Sequence, residues 1–79
     1  MTPESAIKEI KMAIENAPRN AYVAELHVQV LKYGDVLDDV TGKEFCEALG
    51  IGVSFGTEFA KMKKIYRRLV DAGLDVNKI

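Results

Sequence analysis

Residues 41–50, TGKEFCEALG, admit few local structures. Thr41 and Glu44 stand three apart, the spacing at which a hydroxyl and a carboxylate each satisfy a free backbone N–H in the first turn of a helix. Val40 and Phe45 fall at the two positions whose side chains close over such a start. Gly50 follows, where a left-handed backbone is easiest for a residue without Cβ. The stretch therefore predicts a short helix of about eight residues with a hard stop. Phe45, Cys46, Ala48 and Leu49 form its apolar side.

That stop constrains what comes next. After Ile51-Gly52-Val53, Ser54 is the candidate N-cap of a second, longer helix of roughly 18 residues. Phe55, Phe59, Met62, Tyr66 and Leu69 recur along it at spacings of three and four, and Ile65 and Val70 widen the stripe. Gly73 closes it, with Leu74 placed for the accompanying hydrophobic contact.

Upstream, Thr2-Pro3-Glu4 reads as a hydroxyl cap, a proline at the first helical position and a dipole-matched acid. Ile7, Ile10 and Ile14, with Ala6, Ala13 and Ala17, give a helix its core face, and Asn16-Ala17-Pro18 ends it. Asn20 to Tyr33 fits two periods. Ala24, Leu26, Val28 and Val30 alternate as in a strand, whereas Val23, Leu26, Val30 and Tyr33 form a helical stripe. No partner strand is visible elsewhere, and a lone strand leaves its backbone unpaired, so the helix is favoured, with Gly34 as its stop. Asp35 to Val40 reads as a solvated acidic connection, and residues 75–79 as a frayed tail. The expected fold is all-α: a single domain of four helices over residues 1–79.

A chain of 79 residues buries only roughly 60% of the surface its unfolded form exposes, so the core is small and a homodimer is expected. Apolar residues at 48% and charged residues at 29% match a globular rather than a disordered chain. One cysteine forms no internal disulfide. No apolar run nears the roughly 20 residues that span a bilayer, and the N-terminus lacks a signal pattern. The cytoplasm is the expected compartment, with no membrane partner. The helices have their own start and stop signals, so the unit is expected to be complete rather than a fragment of a larger subunit.

A formal net charge of −1 argues against a generic polyanion binder, but the charge is segregated. Five cations against two acids give residues 53–72 a net +3, leaving −4 for the remainder. At 100° per residue, Thr57, Lys61, Lys64 and Arg68 share a narrow sector of the last helix, opposite Phe59, Tyr66 and Leu69. Ser54 lies near its start, and Lys63 and Arg67 flank the apolar stripe elsewhere. A helix so furnished can meet phosphates with its cations and base edges with its shorter polar groups. The same pattern also serves as an ordinary solvated face.

Little else suggests chemistry. Asp38-Asp39 has no second ligand cluster, His27 is the lone histidine on an apolar-looking segment, and Cys46 has no neighbouring histidine in sequence. No phosphate-cradling loop and no metal-ligand spacing occurs, so no catalytic residue, metal or other cofactor is expected.

Lys43 to Ile51 resembles the first helix and turn of bacterial and phage helix-turn-helix regulators. Cys46 fills the small position, Phe45 and Leu49 frame it, Gly50 and Ile51 make the turn, and Phe59 matches the apolar site in the following helix. A longer stretch, from Ala17-Pro18-Arg19 through Lys32-Tyr33-Gly34-Asp35 to Gly50-Ile51, resembles small HTH-like proteins of bacteria and prophages. Gly56 departs from the pattern, which has a branched aliphatic there, and glycine inside a helix costs roughly 1 kcal/mol relative to alanine. The length of the last helix also exceeds that of a minimal recognition helix.

The resemblance implies a transcription regulator with duplex DNA as its partner. Ser54, Thr57, Lys61, Lys64 and Arg68 would be the contacts. The alternative is a phage-type inhibitor, antitoxin or adaptor on the same fold, whose basic face meets an acidic protein surface.

Overall fold

Several of the start and stop signals become hydrogen bonds in the computed structural model, which describes residues 1–79. Thr2 accepts from the Ser5 N–H at 3.1 Å and opens α1 (Pro3–Asn16). A 3₁₀ turn (Arg19–Ala21) leads into α2 (Tyr22–Lys32). The capping box then opens α3 (Gly42–Leu49): Thr41 Oγ1 accepts from the Glu44 N–H, and Glu44 Oε1 accepts from the Thr41 N–H, each at 3.1 Å. The Thr41 N–H first, then the Thr41 side chain, lowers the Glu44 carboxyl from its ordinary value. The last long element is α4 (Phe55–Asp71). Four α-helices and no strand make the fold all-α, as expected from the sequence. No helix is long and apolar enough to cross a membrane.

The core is drawn from every helix. Ile10, Val30, Leu37, Phe45 and Phe59 are fully enclosed, with Ala6, Ile14, Leu26, Leu49 and Met62 around them. Phe45 stacks on Phe59 with ring centroids 4.3 Å apart, fixing α3 against α4. Such a pair contributes about 0.5–1.5 kcal/mol beyond the area it buries. Cys46 lies in the same region with no exposure, and burial pushes its thiol up.

Within residues 20–33 the chain forms a helix, α2, rather than a strand, but the buried stripe differs from the expected one. Leu26 and Val30 point inward, whereas Val23 is 57% exposed and Gln29 takes an inward place. Burying Gln29 is tolerated because its Nε2 donates to Glu25 Oε2 at 2.6 Å. Gly34 is not the left-handed stop that its position suggests, since only Gly50 and Gly73 have positive φ. It makes room instead: a Cβ at Gly34 would collide with three Tyr66 ring carbons. Burial first, then Asp35 and Asp38 nearby, raises the Tyr66 hydroxyl above the usual phenol range.

The Asp35–Val40 connection is not simply solvated. Leu37 is fully buried, and Lys63 Nζ donates to the Asp38 carbonyl at 3.1 Å and the Val40 carbonyl at 2.8 Å. Arg67 pairs with the Asp38 carboxylate. Backbone carbonyls at a turn need donors, and α4 supplies them from its side. Residues 75–79, where fraying is the sequence expectation, contain a 3₁₀ turn (Val76–Lys78) that lies against α2.

Candidate nucleic-acid interface

The presentation of α4 begins with the way α3 ends. Gly50 has φ 73°, and the N–H groups of Gly50 and Ile51 return to the Glu47 and Cys46 carbonyls at 3.2 and 3.0 Å. This pairing satisfies two helix-end carbonyls while reversing the chain. Phe55 and Gly56 then donate to Gly52 and Val53, so α4 starts from a hydrogen-bonded turn. Ser54 is not the side-chain cap that its position predicts. Its backbone is already helical at φ −58° and ψ −27°, so its exposed hydroxyl makes no capping bond.

Two contacts aim the first turn of α4. Phe55 lies 6.2 Å from the Phe45 ring and meets His27 edge-on at 5.3 Å. The backbones of Gly42 and Gly56 also approach closely, and a Cβ added at Gly42 would come within 2.8 Å of Gly56 Cα. The departure at Gly56 from the branched aliphatic pattern thus coincides with a backbone-to-backbone meeting of α3 and α4. Farther along, His27 faces Glu58 and Gly34 faces Tyr66, so α2 and α4 run alongside each other in the same direction.

With α4 held on that side, Thr57, Lys61, Lys64 and Arg68 are all exposed. Thr57 and Arg68 lie 11 positions apart, or about 16 Å along the helix axis. A helix with side chains is about 10–12 Å across, matching a B-DNA major groove about 12 Å wide. Lys61 lies 3.6 Å from Glu58, whose other oxygen lies 3.6 Å from His27 Nε2. Lys64 and Arg68 make no ion pair. The sector is therefore basic along its length, with one carboxylate beside Lys61.

The five cations of α4 do different things; the sequence pattern separates Lys63 and Arg67 from the sector but misses their role. Lys63 is held by two loop carbonyls and lies 4.9 Å above the Phe59 ring, and Arg67 is held by Asp38. Both fasten α4 to the 35–40 connection. The available signal was their position beside the apolar stripe rather than opposite it, together with the acids at Asp38 and Asp39.

His27 is oriented by its neighbours, with Nδ1 2.7 Å from the Val23 carbonyl. No group of three or more histidine, cysteine or acidic side chains stands close enough to hold a metal ion. No curated protein and no solved structure matches the chain. A family model described as an HTH-like domain matches residues 2–72.

Proposed function

The chain belongs to the HTH-like domain family, and from that premise we propose that it is a DNA-binding transcription regulator whose α4 enters a groove of duplex DNA. Lys61, Lys64 and Arg68 would meet phosphates, while Ser54 and Thr57, near the start of the helix, would reach base edges. One observation carries the reading: the basic sector of α4 faces outward along its length while Lys63 and Arg67 are turned to the protein's own loop.

Two copies on neighbouring half-sites would set their α4 helices about 34 Å apart, one turn of duplex. The reading gives the protein no catalytic role and puts its work in the cytoplasm of a bacterial cell. Binding should weaken as salt rises, because each neutralised phosphate releases counterions.

The test is a mobility-shift titration of mixed-sequence duplex at two salt concentrations, comparing the wild type with a Lys61→Glu/Lys64→Glu variant. The double variant is expected to lose at least about tenfold in affinity and to show a salt slope shallower by about two. Unchanged affinity would overturn the assignment. Absence of duplex binding by the wild type at low salt, with capture of one defined acidic protein, would replace it with the protein-binding reading.

A further inference from the structure

The second half of α4 leaves apolar surface uncovered. Ile65 and Leu69, one turn apart on the same side, are 44% and 37% exposed, in a helix whose end is properly closed. Gly73 takes φ 110°, and the N–H groups of Gly73 and Leu74 return to the Val70 and Leu69 carbonyls at 3.0 and 2.9 Å. By helical position, Lys61 and Arg68 border Ile65 and Leu69 on one side. Two copies of this ridge packed on each other would set like charges together, which disfavours a face-to-face contact.

A surface of the opposite character lies elsewhere on the same molecule. A groove of about 490 Å³ runs between the start of α1 and the outer side of α3. Ile7, Val40 and Ala48 give it apolar walls, and Glu4, Glu44 and Glu47 give it three carboxylates. No basic side chain lines it, and none of the three acids is in an ion pair. The segregation of charge within the chain is thus also a division between two surfaces, each combining aliphatic and charged groups.

We propose that this groove receives the second half of α4 from another copy of the same chain. Ile65 and Leu69 of the incoming helix lie against Ile7, Val40 and Ala48, and Lys64 and Arg68 approach Glu4 and Glu47. The contact joins two different surfaces, so it either closes reciprocally in a two-fold pair or continues head to tail. A groove of this size accepts only a few side chains, so the association is weak and concentration-dependent. It also covers Lys64 and Arg68. Where the proposed DNA reading holds, and only then, duplex DNA and self-association compete for the same helix. The docking itself does not depend on that reading.

The experiment is sedimentation velocity on the full chain without nucleic acid, from roughly 10 μM to 1 mM, a range suited to a small interface. Three proteins are compared: wild type, Glu4→Lys/Glu47→Lys, and Lys64→Glu/Arg68→Glu, with circular dichroism melts to establish that each is folded. A neutral pair, Glu4→Gln/Glu47→Gln and Lys64→Gln/Arg68→Gln, replaces any reversal variant that does not fold. The expected result is reversible association of the wild type that weakens with added salt and falls about tenfold or more in each reversal variant.

Mixing the two reversal variants should restore association, because each reversed surface then meets an opposite one. With the neutral pair, each variant should associate more weakly than the wild type. A wild type that stays monomeric throughout the range overturns the proposal. So does association indifferent to both sets of charges, or a mixture of reversal variants no more associated than its components. Failure here leaves the DNA titration unaffected, and failure of the DNA titration leaves this result unaffected.

Discussion

At Gly42 one missing Cβ lets two helices begin in contact. A methyl group there would press on Gly56 Cα and its carbonyl oxygen, both at 2.8 Å, and backbone atoms cannot rotate aside as a side chain can. The reverse substitution is different, since a Cβ at Gly56 meets Gly42 only at 3.6 Å, an ordinary contact. Gly42→Ala is therefore expected to destabilise the fold by about 1–3 kcal/mol through overpacking. Gly56→Ala should be neutral or stabilising by up to about 1 kcal/mol, because alanine is the better helix former. Urea-denaturation midpoints for the two variants check the asymmetry, and equal losses would refute it.

The sequence contains both glycines but not their meeting, which depends on the angle between α3 and α4. Gly56 consequently reads from sequence as a defect in α4. Val23 and Gln29 were illegible for a similar reason: hydrophobicity favours Val23 for the interior, but the rotation of α2 buries Gln29, and Glu25 satisfies the amide.

Among the elements, α3 was the most legible because its determinants are local. The capping box, the adjacent apolar pair and Gly50 all lie within 11 residues, and every backbone partner they need is in the same helix turn or the next. The 35–40 connection was the least legible. Its conformation depends on Lys63 and Arg67, more than 20 residues away, and on burial of Leu37 among acids that suggest solvent. Ser54 marks the boundary between these cases, since residue type favours a cap there but the preceding turn already sets a helical backbone.

The capping box also carries a pH dependence. The folded state depresses the Glu44 carboxyl relative to its unfolded value near 4.5. Its contribution to stability is thus present above that value and lost as pH falls through the lower, folded one. Glutamine can make the same bond to the Thr41 N–H without titrating. Thermal melts between pH 6 and pH 2 are expected to show a smaller acid-induced loss in Glu44→Gln than in the wild type. Parallel curves for the two would show that the box does not contribute to acid sensitivity.

For the whole molecule, the helices and the 35–40 connection enclose a small core of 11 buried apolar residues while leaving α4 with two unlike surfaces: a basic sector and an aliphatic ridge. The sector's existence was readable from helical periodicity. Its membership was readable too, but not the anchoring of Lys63 and Arg67 to the 35–40 connection. The proposed regulator uses what remains, Lys61, Lys64 and Arg68, with Ser54 and Thr57 at the leading end.

The most direct measurement of this central claim is a backbone-amide NMR titration of the isotope-labelled protein with a short duplex at low salt. At protein concentrations low enough to keep the chain monomeric, the account predicts that the largest shifts concentrate on Ser54, Thr57, Lys61, Lys64 and Arg68, sparing Glu4 and Glu47. Shifts centred on the α1–α3 groove, or no shifts at saturating duplex, would contradict it.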